Sequence, residues 1–153
     1  MHETEALHIR RLTAEDLEPL HRLLSDPAVM RYLEPPFTRA QTEAFLQKAG
    51  MGREPLIWAV EDGRGFAGYV IYHPYDETSM ELGWVLASDR WGRGYALALT
   101  RQMICRARES GRDAVIECYP QQAATRHIAE KLGFRPCGMD GGCCVYRLAG
   151  KNE

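Results

Sequence analysis

The chain has 153 residues, 45% hydrophobic and 26% charged, the size of one compact domain and the make-up of a globular chain, which excludes intrinsic disorder and collagen-like structure. Lys plus Arg number 19 against 21 Asp plus Glu, a formal charge of -2, so no broad basic footprint for direct nucleic-acid binding is expected. No run of 18 apolar residues occurs and the start lacks the charged-then-apolar layout of a secretory signal, so the expectation is a cytoplasmic protein without membrane contact.

In chain order, residues 7–12 suit a short strand. Thr13 opens a T-x-x-D start signal with Asp16, and Leu17, Leu20 and Leu24 share one helical face, which predicts a helix over 17–25. With Asp16 as N-cap, Pro19 falls at the third helical position, where its missing N–H has no intrahelical partner. Asp26-Pro27 ends that helix. A second start, Thr38 with Gln41, opens another through about residue 48. The loop between them, 30–37, is apolar and suits packing over the core.

Segments 56–61 and 66–73 are rich in β-branched and aromatic residues, and Asp62-Gly63 between them signals a hairpin. A strand follows at 80–86. From Gly94 an amphipathic helix carries Ala96, Leu99, Met103 and Ala107 on one stripe and stops at Gly111. Residues 114–119 form a strand run that Pro120 ends. The next helix spaces Ala124, Ile128 and Leu132 by four, pairs Arg126 with Glu130, and stops at Gly133. Strands at 135–138 and 143–148 flank the turn Asp140-Gly141-Gly142. No repeat or linker appears, so a single domain over 1–153 is expected. The class is mixed α/β: an antiparallel meander first, then a strand–helix–strand crossover that leaves two neighbouring strands parallel.

The five cysteines (Cys105, Cys118, Cys137, Cys143, Cys144) are odd in number and form no C-x-x-C pair. That argues against a disulfide framework and against a zinc site, and leaves reduced, mostly packed thiols; no metal is expected.

The turn into the helix at Gly94 carries the chemistry. Gly92 and Gly94 let backbone approach a bulky anion, and a helix N-terminus offers N–H groups and positive dipole charge. A Walker loop is absent, and Leu97 stands where a dinucleotide fingerprint needs a small residue. A turn that merely lets the helix pack closely stays open on this segment alone.

With its flanks, the segment resembles the GNAT superfamily of acyl-CoA-dependent N-acetyltransferases over nearly the whole chain. That family's pyrophosphate loop reads Gln or Arg, two residues, Gly, one residue, then Gly or Ala; Trp91, Gly94 and Ala96 occupy those places. Glu81-Leu82-Gly83-Trp84-Val85-Leu86 followed by Trp91-Gly92-Arg93-Gly94-Tyr95-Ala96 is similar to the branch of ribosomal-protein alanine N-terminal acetyltransferases, where tryptophan at that place is ordinary. The stretch from Thr125 through Glu130-Lys131-Leu132-Gly133-Phe134 is similar to that branch's closing motif.

The resemblance implies a GNAT-like acyl-CoA N-acyltransferase fold and an acetyl-CoA-dependent N-acetyltransferase. Backbone of Trp84, Val85 and Leu86 would pair with the pantetheine arm, and N–H groups across Trp91, Gly92, Arg93, Gly94, Tyr95 and Ala96 would cradle the pyrophosphate. Arg90 and Arg93 lie close to that loop, either to serve the anion or as solvated surface arginines. Gln122 stands for the family's asparagine at the cofactor. Thr125 stands for its serine at the departing thiolate, or else caps the helix. Glu81 matches an acidic residue discussed as the base, or else is an exposed strand-end carboxylate. Other branches place a tyrosine acid where Ala129 stands. Glu34, His73, Glu117 and His127 are weaker candidates, better suited to packing, turns or a solvated face. Nothing near Cys118 marks a cysteine/histidine pair, so transfer is expected by direct attack in a ternary complex. The acceptor would be a small-molecule amine or a protein N-terminus, and the enzyme a monomer or homodimer. A non-catalytic acyl-CoA-binding or regulatory module and a purely structural interaction domain are the alternatives.

Overall fold

The computed structural model describes residues 6–150. Its elements are β1 (His8–Arg10), α1 (Leu17–Leu24), α2 (Pro27–Met30), α3 (Arg39–Phe45), β2 (Ile57–Asp62), β3 (Gly65–Asp76), β4 (Ser79–Leu86), α4 (Tyr95–Glu109), β5 (Asp113–Cys118), α5 (Ala123–Lys131), β6 (Arg135–Asp140) and β7 (Cys143–Leu148). The fold is mixed α/β, with a seven-stranded sheet in the order β1, β2, β3, β4, β5, β7, β6. The β1/β2, β2/β3, β5/β7 and β6/β7 pairs are antiparallel. The β4/β5 pair, joined through α4, is parallel, as a strand–helix–strand crossover requires. Two compact units make up the chain: the described residues up to Ile71 with Trp84–Tyr95, and Tyr72–Gly83 with the described residues from Ala96.

In the first unit, α1 begins through one 3-10 turn, Ala14–Asp16. The Asp16 carboxylate accepts from the Thr13 N–H at 2.8 Å and takes a two-pronged contact from Arg10 at 2.8 and 2.9 Å. Arg10 also donates to Glu61 of β2 at 2.7 Å, so one guanidinium ties β1 to its neighbouring strand and to the start of α1. Leu20, Leu23 and Leu24 are buried, and Pro19 sits in the first turn of α1 as expected.

Asp26-Pro27 does more than end α1. Asp26 Oδ1 accepts from the Ala28 N–H at 2.9 Å and Pro27 takes the first helical position, which starts α2, a short helix where a loop was expected. Thr38 and Gln41 form the reciprocal cap at 3.1 and 2.8 Å. The α-helix they open stops at Phe45, earlier than its sequence pattern suggests, and passes into a wider π-type turn over Leu46–Gly50. That turn buries Leu46, Ala49 and Gly50, and a Cβ at Gly50 would lie 2.7 Å from Leu12 Cδ1, so a larger residue there would have to displace the Leu12 side chain. The apolar core gathers Leu12, Leu20, Leu24, Met30, Leu46, Ile57, Tyr69 and Val85, with Leu33 and Phe37 of the 30–37 loop packed against it as expected. Gly68, at φ +145°, lets β3 pass close to β4, since a Cβ there would meet the Val85 carbonyl oxygen at 2.2 Å.

In the second unit, Asp76 caps the β3–β4 turn by accepting from Ser79 Oγ at 2.7 Å and from the Thr78 N–H at 2.9 Å. Arg147 of β7 joins that turn to β5, donating to Asp113 at 2.9 Å, Thr78 Oγ1 at 3.0 Å and Asp76 at 3.3 Å. Helix α4 buries Leu99, Thr100, Met103, Ile104 and Ala107 and is stopped at Gly111, φ +70°. On α5 the expected stripe is displaced. Ala129 is the fully buried position, Ile128 and Leu132 are half-buried and Ala124 is exposed, because a nine-residue helix has little more than two turns to set its face. The thiols are also less uniformly packed than expected: Cys118 is buried, Cys143 and Cys144 are intermediate, and Cys105 and Cys137 are exposed. Among the described residues no helix is long and apolar enough to cross a membrane.

The hairpin end of β2 carries the interaction that positions the phosphate-type loop. Asp62, whose side chain is wholly buried, receives Arg90 Nε at 2.9 Å and Nη2 at 3.2 Å, the Tyr95 hydroxyl at 2.8 Å and the Arg64 N–H at 2.8 Å. Removing one partner of such a pair strands the other charge in the interior at a cost of about 3–5 kcal/mol. Asp62→Ala is therefore expected to lower the unfolding free energy by about that amount in chemical denaturation. The Arg90 guanidinium holds the Asp62 carboxyl well below the usual carboxylate range. Its contribution to stability is therefore complete above the unfolded-state value, about 3.9, and is lost as pH falls toward the folded value. The acid limb of wild-type stability should consequently be steeper than that of Asp62→Ala; parallel limbs would show that the pair contributes nothing.

Candidate active site

The glycine loop lies in the first unit. Leu86 ends β4, Ser88–Arg90 makes one 3-10 turn, and Tyr95 opens α4. Arg90 is neither a solvated arginine nor a ligand for an incoming anion: it is 7% exposed and engaged by Asp62, with Asp89 on its other edge at 3.0 Å. Tyr95 is likewise buried, its hydroxyl on Asp62, so both ends of the loop hang from one carboxylate. Trp91 donates its indole N–H to the Leu86 carbonyl at 3.0 Å, closing the loop's neck, and still leaves 51% of its surface exposed.

Between these anchors Gly92 and Gly94 take φ +75° and +79°, the left-handed region that favours glycine. No atom lies within 4 Å of where a Cβ on either would stand. These glycines are thus required by backbone direction rather than by crowding, and their outer side is open. The loop enters the N-terminal end of a 15-residue helix, an end that offers unpaired N–H groups and the positive end of a dipole. Arg93 is exposed, with no carboxylate at ion-pair distance among the described residues. A turn of this shape can receive an anion by its backbone, and the exposed Arg93 is a positive charge beside it in the chain.

Ahead of the loop, the parallel ladder of β4 on β5 runs only from Ser79↔Asp113 through Met80↔Ala114 to Glu81↔Val115. It stops there, although β4 continues through Trp84 and Val85 to Leu86. Trp84 is half-buried and Val85 and Leu86 are buried.

The second unit brings together residues that were ranked apart. Glu81, half-buried on β4, has His73 Nε2 at 3.9 Å from its carboxylate. Tyr75, two residues beyond His73 on β3 and thus on the same face, donates its hydroxyl to Glu117 of β5 at 2.6 Å. Glu117 lies two residues along β5 from Val115, the ladder partner of Glu81, so it shares that face as well. Burial pushes the Glu81 carboxyl above its ordinary value; the nearby His73 ring opposes this and the Glu117 charge adds to it. The hydrogen bond to Glu117, with a further push from burial and from Asp140 and Glu81, raises the Tyr75 hydroxyl to about 12, so it stays a neutral donor.

By sequence alone His73 and Glu117 suit packing, turns or a solvated face, and no motif marks Tyr75. The alternation of His73, Pro74 and Tyr75 along a strand was the one available signal, and which face it addressed depended on the sheet order. Glu34 and His127 are exposed and take no part in this cluster.

Gln122 stands at the start of α5 and folds back: its Oε1 accepts from the Tyr119 N–H at 2.8 Å, leaving its amide N–H groups to point elsewhere. The N-cap of α5 is Gln122, so Thr125, half-buried at the third helical residue, does not cap the helix. Ala129 is fully buried. Burial first, then the neighbouring thiols, pushes Cys118 up to about 11, so only a small fraction of it is thiolate near neutral pH. Among the described residues no three His, Cys, Asp or Glu side chains are placed to hold a metal ion.

Residues 6–135 match the family model described as Acetyltransferase (GNAT) domain. The uncharacterized N-acetyltransferase YnaD of Bacillus subtilis (strain 168) is 26% identical over 145 residues, covering 92% of this chain and 85% of its own. The crystal structure of a GNAT-family acetyltransferase from Bacillus anthracis superposes with a TM-score of 0.81 at 25% identity, covering 97% of each chain. Spermidine N-acetyltransferase from Vibrio cholerae, solved with CoA and spermine, shares the fold at a TM-score of 0.74 and 22% identity over 93% of each chain. The resemblance to the ribosomal-protein alanine branch rests on the two sequence motifs alone. With the family model spanning residues 6–135, the chain belongs to the GNAT acetyltransferases and is an acyltransferase.

Proposed function

We propose that this enzyme transfers the acetyl group of acetyl-CoA to a primary amine by direct attack in a ternary complex, as a cytoplasmic enzyme. The observation that carries the reading is the pair of left-handed glycines, Gly92 and Gly94, open on their outer side at the head of α4. Acetyl-CoA, when bound, supplies an acetyl group activated as a thioester. The chain's part is to hold and orient it. N–H groups from Trp91 to Ala96 hold the pyrophosphate, Arg93 adds a charge that salt screens, and the backbone of Trp84, Val85 and Leu86 pairs with the pantetheine amides as an added strand would. The early end of the β4–β5 ladder supports that last role, because β4 runs on beyond it. Gln122 offers its amide N–H groups, and Thr125 a hydroxyl for the departing thiolate.

Glu81 takes the proton from the attacking amine, directly or through one water. A carboxylate whose ordinary value is raised by burial is a better base near neutral pH than a solvated one. The acceptor classes are a protein α-amine, such as an alanine N-terminus, and a small primary amine. An α-amine, with a pKa of about 7.7–8.0, is substantially neutral at cytosolic pH, whereas a lysine amine near 10.4 is only ~0.1% neutral, a handicap of roughly 4 kcal/mol.

Three measurements test this reading. Acetyl-CoA at about a hundredfold excess over its dissociation constant should stabilise ligand-free protein by roughly 2.7 kcal/mol, seen as a raised Tm; a curve unmoved at millimolar concentration overturns it. Gly94→Asp places a carboxylate where the diphosphate sits, in a backbone region that aspartate tolerates at about 1 kcal/mol. Calorimetry should find the variant folded and without measurable affinity for acetyl-CoA; unchanged affinity would place the diphosphate elsewhere.

Glu81→Gln keeps shape and removes basicity. Acetyl-CoA affinity should stay within a few-fold while kcat/KM falls by about 10²-fold below the amine's pKa. The deficit should shrink as pH rises and the amine loses its proton unaided. Wild-type turnover by the Gln variant from pH 6 to 9, with chemistry rate-limiting, would leave Glu81 as a structural residue. Binding without acetylation of any amine in a broad panel would favour a non-catalytic acyl-CoA-binding module.

A further inference from the structure

We propose that Cys118 and Cys144 form a dithiol site that closes into a cross-strand disulfide when it meets a low-molecular-weight disulfide. The two residues are direct partners in the antiparallel β5–β7 ladder. Directly opposed residues in such a ladder have Cα atoms about 4.5 or 5.5 Å apart, according to the hydrogen-bonding class of the pair. Both values lie inside the window of about 4.4–6.8 Å that a disulfide spans, so closure needs rotation of side chains and a small approach of the two strands.

The neighbouring thiols do not compete. Side chains alternate along a strand, so Cys143 projects from the opposite face to Cys144 and the adjacent pair cannot join without breaking the ladder. Cys143 belongs to the face of Glu117, whose ladder partner is Val145, and its thiol is pushed up by burial and by the Glu117, Asp140 and Glu81 charges. Cys118 and Cys144 belong to the other face, that of Ile116 and its partner Tyr146, whose hydroxyl reaches Glu130 of α5 at 3.3 Å. Cys105 on α4 and Cys137 on β6 are exposed and have no cysteine as a ladder partner.

The difference in burial sets the order of events. Cys144 is only half-buried, whereas Cys118 is 3% exposed and its thiol is pushed up to about 11. The Cys144 thiolate therefore attacks first, cleaving the small disulfide R–S–S–R, forming a Cys144–S–S–R mixed disulfide and releasing RS⁻. Cys118 gives its proton to water and attacks the Cys144 sulfur, forming the Cys118–Cys144 bond and expelling the second RS⁻. The protein loses two protons and two electrons, and the small disulfide gains them as two thiols. Excess dithiothreitol reverses both steps. The cross-link forms one residue past Glu117, the residue that holds Tyr75, and fastens β7 to β5 there.

Full-length protein, reduced and then exposed to oxidised glutathione, tests this by intact mass and by peptide mapping under non-reducing conditions. The expected product has lost two hydrogens, contains a Cys118–Cys144 cross-linked peptide pair, and melts roughly 5 °C or more above the reduced form. Cys105 and Cys137, being exposed, are replaced by serine in a parallel sample so that their glutathione adducts do not obscure the mass. In Cys118→Ser the mixed disulfide should persist on Cys144; Cys118→Ala serves should the serine variant misfold. A lasting glutathione adduct on Cys144 in the presence of Cys118, a cross-link through Cys143, or fully reduced Cys118 and Cys144 under conditions that modify Cys105 would each overturn the proposal. None of these readouts involves acetyl-CoA or an acceptor, so they stand or fall apart from the acetyltransferase reading.

Discussion

A single buried carboxylate holds the phosphate-type loop in place. Asp62 closes the β2–β3 hairpin through the Arg64 N–H, fixes Arg90 in front of the loop, and fixes Tyr95 behind it. Everything between Arg90 and Tyr95 is then free to be shaped by glycine, because the ends no longer depend on side chains within the loop. A loop with two left-handed residues has little local preference for one path, since glycine is the residue with the most backbone freedom to lose. The anchors restore that lost definition. Burying an ion pair is an expensive way to do so, for its desolvation cancels much of its attraction. The extra hydroxyl and backbone donors on Asp62 are what make it tolerable, since they satisfy the lone pairs that the guanidinium leaves over.

The same economy of anchors recurs at Arg10 and Arg147. Arg10 joins β1, the entry to α1 and the end of β2 through two carboxylates, and Arg147 joins β7, β5 and the β3–β4 turn through Asp113, Thr78 and Asp76. In each case a planar five-donor head reaches separate segments at once, which a lysine's point charge could not do. Arg10, Arg90 and Arg147 are therefore architectural, whereas Arg93 is exposed at the loop.

The elements were legible in the sequence wherever periodicity and punctuation agreed. The T-x-x-Q cap at Thr38, the glycine stops at Gly111 and Gly133, and the parallel crossover through α4 all follow from local signals. What escaped was set by partners far along the chain. Asp62 reads as an ordinary hairpin residue and Arg90 as an anion ligand or a surface arginine, because nothing local announces that these two residues, 28 positions apart, are buried together. Asp26-Pro27 read as a stop, and its second use as a cap and first residue for α2 depends on the chain turning back at once. For the site, the glycine turn and Glu81 were visible as motif residues. Tyr75, His73 and Glu117 were not, since their common face becomes defined only when the strand order sets β3, β4 and β5 in sequence.

Strand β5 shows how one short segment carries two chemistries without mixing them. Its residues alternate, so Val115 and Glu117 address the face of Glu81 and Cys143, while Ile116 and Cys118 address the face beneath α5. On the first face, burial and neighbouring charge keep Glu81 a stronger base and Tyr75 a neutral donor. On the second, burial suppresses the Cys118 thiolate and leaves the initiative to its more open partner. The pleat alone separates a polar cluster suited to moving a proton from a thiol pair that would otherwise compete as a nucleophile. A one-residue slip of β5 against β7 would exchange the two faces of β5, putting Cys118 on the face of Cys143 and Glu117 under the helix. The register of that ladder is thus as much a condition for the chemistry as any side chain in it.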